Sequence, residues 1–398
     1  MKKFLASIFA ILIVLTFTSP LQAEKVTQTL DIGLKLLVDS YYYKQDKEGM
    51  ARTVSGARSA GLQKGTTTLE EDLTQYYLTI NSRSALYVTW NDRDKIGFSV
   101  VTNLDGENYN LGVLFAYGFW SITPNFRIQT GKGTTLFSDL EPTTTMGCIG
   151  KGAVYDSLNK MYGVGYGNYF SGYNTYFRVE YRLGDIGHLK AGIVDPRVMT
   201  SPASFFNGQN NGAAVDNSTK IPRFELSVPL RFGQVGVYPG VFWQKQTFNN
   251  VKAGWDNSVT SYGLSLGMKA DFKPIFFMAE VNYGENWANT KDQTYPLKSP
   301  DYTTFGSQVA GAKVDSAGKV QNSKALGWWL QAGMNLGKIS PSIIFGRQEY
   351  SREADAKKDE MKTMMYGMTC PIDIMKGIRI IPEIMIYDNG SSNKIAGV

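Results

Sequence analysis

Histidine and cysteine are scarce in this chain, and charge is low. One His and two Cys occur among 398 residues, and 19% of the residues are charged. Two Cys exclude a disulfide scaffold and any four-Cys metal site, and a single His excludes multi-haem proteins and most zinc enzymes. We therefore expect no cofactor. The net charge of +6 comes without a block of Lys or Arg, so nucleic acid is not an expected partner.

The N-terminus has the pattern of a secretory signal peptide. Lys2 and Lys3 precede an apolar run from Phe4 to Phe17, and Ala23 marks a candidate cleavage site. A helix needs about 20 apolar residues to span a bilayer, so a membrane anchor is the less favoured alternative. We predict a signal peptide over residues 1–23 and an exported mature protein over residues 24–398.

The mature sequence contains no stretch of 18 apolar residues, which excludes a helical membrane protein. A closed β-barrel stays possible, because its strands carry apolar residues only at alternate positions. Such alternation recurs along the chain. One example has an apolar set interleaved with polar residues: Phe224, Leu226, Val228, Leu230 and Phe232.

Fifteen segments follow this period of two and are predicted strands. They begin near Leu30, Thr74, Lys95, Asn110, Asn125, Asn174, Ile186, Lys220, Gln234, Ser258, Ile275, Ser323, Lys338, Glu360 and Met375. Long and short connections alternate between them. The long ones are predicted over residues 44–72, 103–109, 132–173, 195–219, 249–257, 288–322 and 351–359, and the last short one is a tight link around Ile372–Met375.

Strict alternation of loop length is typical of a membrane barrel with periplasmic turns and extracellular loops, whereas a soluble sandwich gives no reason for it. The positions of the aromatic residues support a membrane barrel, because they fall near the predicted strand ends and could form two interfacial girdles. The alternative is that they cap the core of a soluble barrel. The girdle candidates are Tyr41, Tyr42, Tyr43, Trp287, Tyr350 and Tyr387 towards the long loops, and Trp90, Trp120, Phe232 and Phe272 towards the short turns.

Bacterial single-chain barrels have an even number of strands, so fifteen is one short. Residues from Lys394 to Val398 could begin a sixteenth strand, and they lack a terminal aromatic. We expect a C-terminally truncated last strand, with a miscount of one as the alternative. The predicted fold is all-β: a transmembrane antiparallel barrel of about sixteen strands.

Three segments resemble a bacterial outer-membrane porin of the sixteen-stranded general diffusion type. They are the strand–turn–strand from Tyr117 to Gly131, Phe224 to Gln244, and Ile275 to Trp287. The resemblance implies passive diffusion of ions and small hydrophilic solutes through the outer membrane of a Gram-negative bacterium. It implies contact with membrane lipid and assembly as a homotrimer. It also implies that the third long loop, Lys132–Tyr173, folds inward and narrows the pore, although its only acidic residues are Asp139, Glu141 and Asp156.

Charged residues on the polar phase of the strands must face water inside the barrel. The predicted pore-lining residues are Arg127, Arg178, Glu180, Arg182, Lys190, Arg223, Glu225, Arg231, Lys269, Glu280, Arg379 and Glu383, with Lys35 on the first strand. Positive charges exceed negative ones, so we predict a weak anion preference. The alternative is a structural lattice of Arg and Glu whose charges cancel.

No catalytic or metal site is predicted. Some barrel enzymes use a His at the outer rim, but His188 follows a short turn and its neighbours offer no nucleophile or acid. The acidic residues from Glu70 to Asp72 are predicted to be solvated in a loop. The Met residues from Met361 to Met368 are predicted to pack on a strand and not to form a metal site. Cys148 and Cys370 are predicted on opposite sides of the membrane, too far apart for a disulfide. The remaining alternatives are a substrate-specific channel and a non-transport barrel, such as an adhesin or a sheath for an electron-transfer partner.

Overall fold

A computed structural model describes residues 28–36, 38–45, 73–80, 84–104, 111–134, 136–138, 140, 142, 166–169, 173–195, 216–217, 219–287, 290, 311–354, 357–376, 378–388 and 394–397. The predicted signal peptide lies outside these residues, as does much of the sequence in the predicted long loops. Within the described ranges, no helix has the length and apolar character that crossing a membrane requires.

The described chain is built from β-strands. In chain order they are β1 (Gln28–Lys35), β2 (Val38–Gln45), β3 (Leu73–Ile80), β4 (Ala85–Asp92), β5 (Ile96–Leu104), β6 (Leu111–Thr123), β7 (Phe126–Thr134), β8 (Tyr173–Arg182), β9 (His188–Val194), β10 (Asp216–Asn217), β11 (Arg223–Ser227), β12 (Leu230–Phe232), β13 (Val235–Asn249), β14 (Ser258–Phe272), β15 (Ile275–Glu285), β16 (Lys313–Val314), β17 (Val320–Gln321), β18 (Ser323–Met334), β19 (Ser342–Ala354), β20 (Lys357–Thr369), β21 (Ile372–Met375), β22 (Ile378–Ile380), β23 (Glu383–Asp388) and β24 (Lys394–Gly397).

Each strand pairs antiparallel with its neighbours, and the sheet closes on itself. β24 pairs on one side with β23 and on the other with Tyr43–Gln45 of β2. Several short strands are consecutive segments of one barrel strand: β1 with β2, β3 with β4, β10 and β11 with β12, β20 with β21, and β22 with β23. Counted in this way, the barrel has sixteen strands, as the sequence predicted.

Apolar side chains of the barrel strands point outward, and polar ones point inward. On β14, Leu264 and Leu266 are each 51% exposed, whereas Ser261 and Ser265 on the opposite face are buried. This arrangement is the reverse of a soluble sandwich, where the shared apolar faces form the core. An apolar outer surface with a polar interior is the arrangement that a barrel in lipid requires.

The tight link predicted around Ile372–Met375 is wrong. These residues form β21, which pairs with β22 in the register that β20 and β23 already follow. Pro371 and Pro382 interrupt this long hairpin because proline has no N–H to donate to the ladder. Their position explains why the sequence pattern suggested a reversal too early.

The long loop predicted over residues 351–359 is also wrong. β19 continues to Ala354 and β20 begins at Lys357, with Glu353 opposite Lys358. The segment is charged on both faces, a sequence pattern that is typical of a loop. A hairpin that extends beyond the membrane can carry polar residues on both faces.

Of the four residues predicted for the girdle at the short turns, Trp120, Phe232 and Phe272 are exposed, whereas Trp90 is half-buried. The girdle itself stays a prediction. Trp287 and Tyr350 were expected in the other girdle, and this expectation is wrong. Both are buried on the inner side of the wall, where their rings lie 6.4 Å apart. The side chains of Tyr41, Tyr42, Tyr43 and Tyr387 are outside the part of the chain that the structure describes.

Candidate functional site

Part of the third long loop lies inside the barrel. The backbone N–H of Leu136 donates to Oε2 of Glu225 at 2.6 Å, and the Ser138 hydroxyl lies 2.5 Å from Oε1 of Glu280. Both carboxylates belong to the inward face of the wall, on β11 and β15. The loop is therefore attached to the wall by hydrogen bonds to buried carboxylates, which are stronger than bonds between neutral groups.

A second segment of the same loop, Tyr166–Tyr169, lies directly on the wall backbone. Asn282 donates to the carbonyl of Gly167 at 3.4 Å. A Cβ atom at Gly346 of β19 would lie 2.1 Å from the carbonyl oxygen of Tyr166. Only a residue without a side chain leaves room for the loop at this point of the wall.

An aromatic cluster joins the two loop segments to the wall. Phe137 packs edge-on against Phe242 at 4.8 Å and against Tyr169 at 4.6 Å. Tyr169 in turn packs against Trp287 at 5.0 Å, and all four rings are buried. The loop thus covers the inner face of β13–β15, a region that would otherwise be open to water.

Three predicted pore-lining residues are covered by this loop. Arg223, Glu225 and Glu280 point inward as predicted, but their side chains are almost wholly buried. Arg223 Nε lies 2.8 Å from Glu225 Oε1, and its guanidinium carbon lies 3.9 Å from the Phe242 ring centre. This differs from the expectation that these residues line open water, because the sequence does not show which stretch of wall the loop covers.

An open cavity of about 920 Å³ lies at the short-turn end, beside the region that the loop covers. Tyr238 lines this cavity and also packs against the cluster that contains Leu140 of the loop. Four predicted pore-lining residues line the cavity together with His188: Arg127, Glu180, Arg182 and Arg231. They come from β7, β8, β9 and β12, whose inward positions are adjacent around the barrel. The alternation of each strand brings these side chains to one surface.

The charges in this cavity are unequally paired. Glu180 Oε1 lies 2.7 Å from His188 Nδ1, and Arg182 contacts Asp185 at 3.1 Å. Arg127 and Arg231 instead contact neutral groups. Arg127 donates to the Ser121 hydroxyl at 3.2 Å and lies over the Phe119 ring, and Arg231 donates to the carbonyl of Gly233 at 3.2 Å.

The other predicted pore-lining residues are spread over the interior. Arg178, Lys190 and Lys269 lie on the inward phase of β8, β9 and β14, and Arg178 donates to Gln129. Glu383 is buried. Arg379 lies on the hairpin at the short-turn end, where it contacts Asp373 at 2.6 Å. The side chain of Lys35 is outside the described side chains.

Sequence reasoning missed the loop residues that pack on the wall, and it missed Arg93 and Lys95, which also line the cavity. The wall did carry a signal, because small inward residues such as Gly327 and Gly346 mark where another backbone approaches. In the described part of the chain, no group of three His, Cys, Asp or Glu residues could hold a metal ion. Cys370 is free, and Cys148 lies outside the described residues.

No protein-family model matches the chain, and no curated protein is similar to it in sequence. Solved structures are similar in fold. The outer-membrane channel DcaP of Acinetobacter baumannii is 12% identical, with a TM-score of 0.60 over 92% of this chain and 95% of that one. An anion-selective porin from Comamonas acidovorans is 10% identical, with a TM-score of 0.53 over 94% and 97%. The chain has the porin barrel fold.

A third structure with this fold is a loop-deletion form of OmpT, an outer-membrane protein of Vibrio cholerae. It is 13% identical, with a TM-score of 0.53 over 93% of this chain and 97% of that chain. All three matches extend over nearly the whole length of both chains. The likeness in fold therefore covers nearly the whole chain.

Proposed function

We propose that the protein is a porin of the Gram-negative outer membrane, with a water-filled channel for ions and small hydrophilic solutes. Its barrel fold, its apolar outer face and its polar interior support this proposal. The inward third loop occupies one side of the interior and narrows the channel there. The basic cavity lies next to the loop, at the short-turn end.

We further propose a weak anion preference, carried by an imbalance of unpaired charge. Among the described residues, four inward cations make no ion pair with a carboxylate: Arg127, Arg178, Arg231 and Lys269. In the same described part of the chain, the inward carboxylates that contact no Lys or Arg are Asp31, Glu180 and Asp271, because His188 beside Glu180 is an ionic partner only when protonated. Glu225 and Glu280 are buried beneath the loop. Unpaired charge that lines a pore biases which ion enters.

Reversal potentials in planar bilayers under a KCl gradient test this proposal. The wild type should show modest chloride selectivity. The double substitution Arg127→Gln with Arg231→Gln should move the ratio of chloride to potassium permeability towards or below one. Lys245→Gln is the control, because Lys245 lies on the outward phase of β13 between buried Gln244 and Gln246. Cation selectivity in the wild type would contradict the proposed anion preference but would not contradict the proposed porin function.

A substrate-specific channel is the second candidate, because several cations line the open cavity of about 920 Å³. Such a channel would show conductance that one solute blocks saturably at low concentration. A general porin would show only graded block. Absence of any conductance would instead favour a non-transport barrel.

We also propose that copies of the chain associate, with a trimer as the expected state. Among the described residues, the most exposed apolar row lies on β1, at Leu30, Ile32 and Leu34, each more than 60% exposed. Part of this exposure arises because β4 is the one described partner strand of β1. A second copy could cover part of this row. Mass measurement in mild detergent, before and after Ile32→Ser, tests the association.

A further inference from the structure

The chain has a single histidine, and the structure places it in the basic cavity. His188 is the first residue of β9, and its side chain is 42% exposed. Its Nδ1 atom is buried and lies 2.7 Å from Oε1 of Glu180, on the neighbouring strand β8. The exposed part of the ring is therefore the part away from Glu180, where Nε2 can exchange protons with water in the cavity.

Charged groups face the Glu180–His188 pair from every element packed around it. Arg127 of β7 and Lys190 of β9 are the cross-strand partners of Glu180. Arg182 of β8 is the cross-strand partner of His188. The other charged residues that line the cavity come from β12 and from the links after β4 and β8: Arg231, Arg93, Asp94, Lys95 and Asp185.

Protonation of His188 changes the charge of this surface by one unit. Among the described residues, five Lys or Arg and three carboxylates line the cavity, so its net charge is +2 with a neutral imidazole and +3 with an imidazolium. In the same ranges, Glu180 contacts the imidazole and no Lys or Arg. A neutral imidazole therefore leaves the charge of Glu180 uncompensated, whereas an imidazolium cancels it.

The pair lies between two guanidiniums that contact neutral groups. Arg127 donates to the Ser121 hydroxyl, and Arg231 donates to the carbonyl of Gly233. Neighbouring strands lie about 4.7–4.9 Å apart, so Glu180 is one strand from Arg127 and two strands from Arg231. Because charges act in water over a Debye length of about 8 Å, the carboxylate opposes an anion strongly at the first guanidinium and more weakly at the second.

We propose that the Glu180–His188 pair makes the entry of anions at the short-turn end proton-dependent. While the imidazole is neutral, the carboxylate opposes anions that approach Arg127 and Arg231. Once the imidazole is protonated, it cancels that charge, and anions bind these guanidiniums more strongly. Histidine is the one side-chain type whose unperturbed pKa lies between about pH 5 and pH 8. The inference rests on the proposed porin function and adds how that function is regulated.

Reversal potentials of the full chain in planar bilayers, under a KCl gradient at about pH 8 and about pH 5, test the pair. The ratio of chloride to potassium permeability should be roughly twofold higher in acid, the effect of one unit charge acting through water over about 8 Å. His188→Gln should abolish this difference and keep the ratio that the wild type has at the higher pH. Asp94→Asn is the matched control, because it removes another carboxylate of the cavity. It should raise the ratio at both pH values and keep the difference.

Two further measurements separate the pair from a general effect of acid. Glu180→Gln removes the carboxylate permanently, so its ratio at the higher pH should already equal the acidic ratio of the wild type. Nitrogen NMR of the chain labelled at histidine reports on one residue, because the chain has one histidine. The midpoint of that titration should coincide with the midpoint of the change in selectivity.

Three results would overturn the proposal: an equal ratio at both pH values in the wild type, a difference that persists in His188→Gln, or midpoints that do not coincide. Open channels that give any of these results leave the porin function standing. Absence of conductance at both pH values would instead contradict the porin function, and the proton-dependent entry with it.

Discussion

The backbone N–H of Leu136 donates a 2.6 Å hydrogen bond to Glu225, whose side chain has no exposed surface. The other carboxylate oxygen lies 2.8 Å from Nε of Arg223. One buried ion pair therefore also serves as the attachment point of the inward loop. The position of the loop and the stability of the wall depend on the same carboxylate.

Glu225→Gln should destabilise the barrel and loosen the loop. The substitution removes the negative charge that contacts the buried Arg223 guanidinium, and breaking a buried ion pair costs about 3–5 kcal/mol. Urea-dependent unfolding from lipid bilayers measures this loss, and single-channel recordings should show larger current fluctuations. Glu180→Gln is the matched control, because that carboxylate is partly exposed and should cost under about 1 kcal/mol. Equal losses in both variants would contradict the anchoring role of Glu225.

The barrel could be predicted from sequence because a membrane strand leaves a local signal. From Ser261 to Phe272 of β14, the outward positions are apolar or aromatic because lipid contacts them, and the inward positions are small or polar because the interior is wet. This pattern holds within a strand and needs no knowledge of its partners. The two mistaken links arose where local signals conflict, at Pro371 and at the charged hairpin near Ala354.

The interior could be predicted only in part. Alternation shows that Arg223 and Arg231 point inward, but it does not show that the loop covers the first and leaves the second open. That difference depends on contacts such as Ser138 with Glu280, which are 142 residues apart in sequence. A contact between distant segments produces no periodic pattern in the sequence of either segment, so it cannot be predicted from alternation.

Gly346→Val should displace the second loop segment. A Cβ atom at this position would meet the Tyr166 carbonyl oxygen at 2.1 Å, so the loop backbone must move into the channel or away from the wall. We expect a changed single-channel conductance with the barrel still assembled. Gly118→Ala is the control, because the nearest atom to its Cβ would be 3.6 Å away. Unaltered conductance in Gly346→Val would place Tyr166 outside the conducting path.

The two loops beyond β13 and β15 should separate in acid. Asp256 accepts hydrogen bonds from the Val320 N–H and from Lys319, and these hold the pKa of its carboxyl below the ordinary value. A lowered pKa means that the contribution is present above the ordinary carboxyl pKa and is lost as the pH falls through the lowered one. Hydrogen exchange at the Val320 amide should therefore accelerate, after correction for intrinsic rates, only at strongly acidic pH.

Asp256→Asn should show the faster Val320 exchange already at neutral pH, because the amide carries no charge to attract Lys319. Asp94→Asn, on an exposed turn at the other end of the barrel, should leave Val320 exchange unchanged. If Asp256→Asn exchanged as slowly as the wild type, the charge of Asp256 would not be what joins these loops.

Trp287 and Tyr169 should be energetically coupled, because their buried rings meet edge-on at 5.0 Å. Trp287→Ala should lower the free energy of unfolding by about 3–5 kcal/mol. A double-mutant cycle with Tyr169→Ala should give a coupling of about 0.5–1.5 kcal/mol. Both variants should also raise conductance, since the loop loses packing against the wall.

The cycle on Trp90 and Phe98, whose rings stack at 5.9 Å on the outer face, is the control and should leave conductance unchanged. If stability fell in the Trp287 cycle while conductance stayed constant, the loop would be structural and some other part of the interior would limit the current.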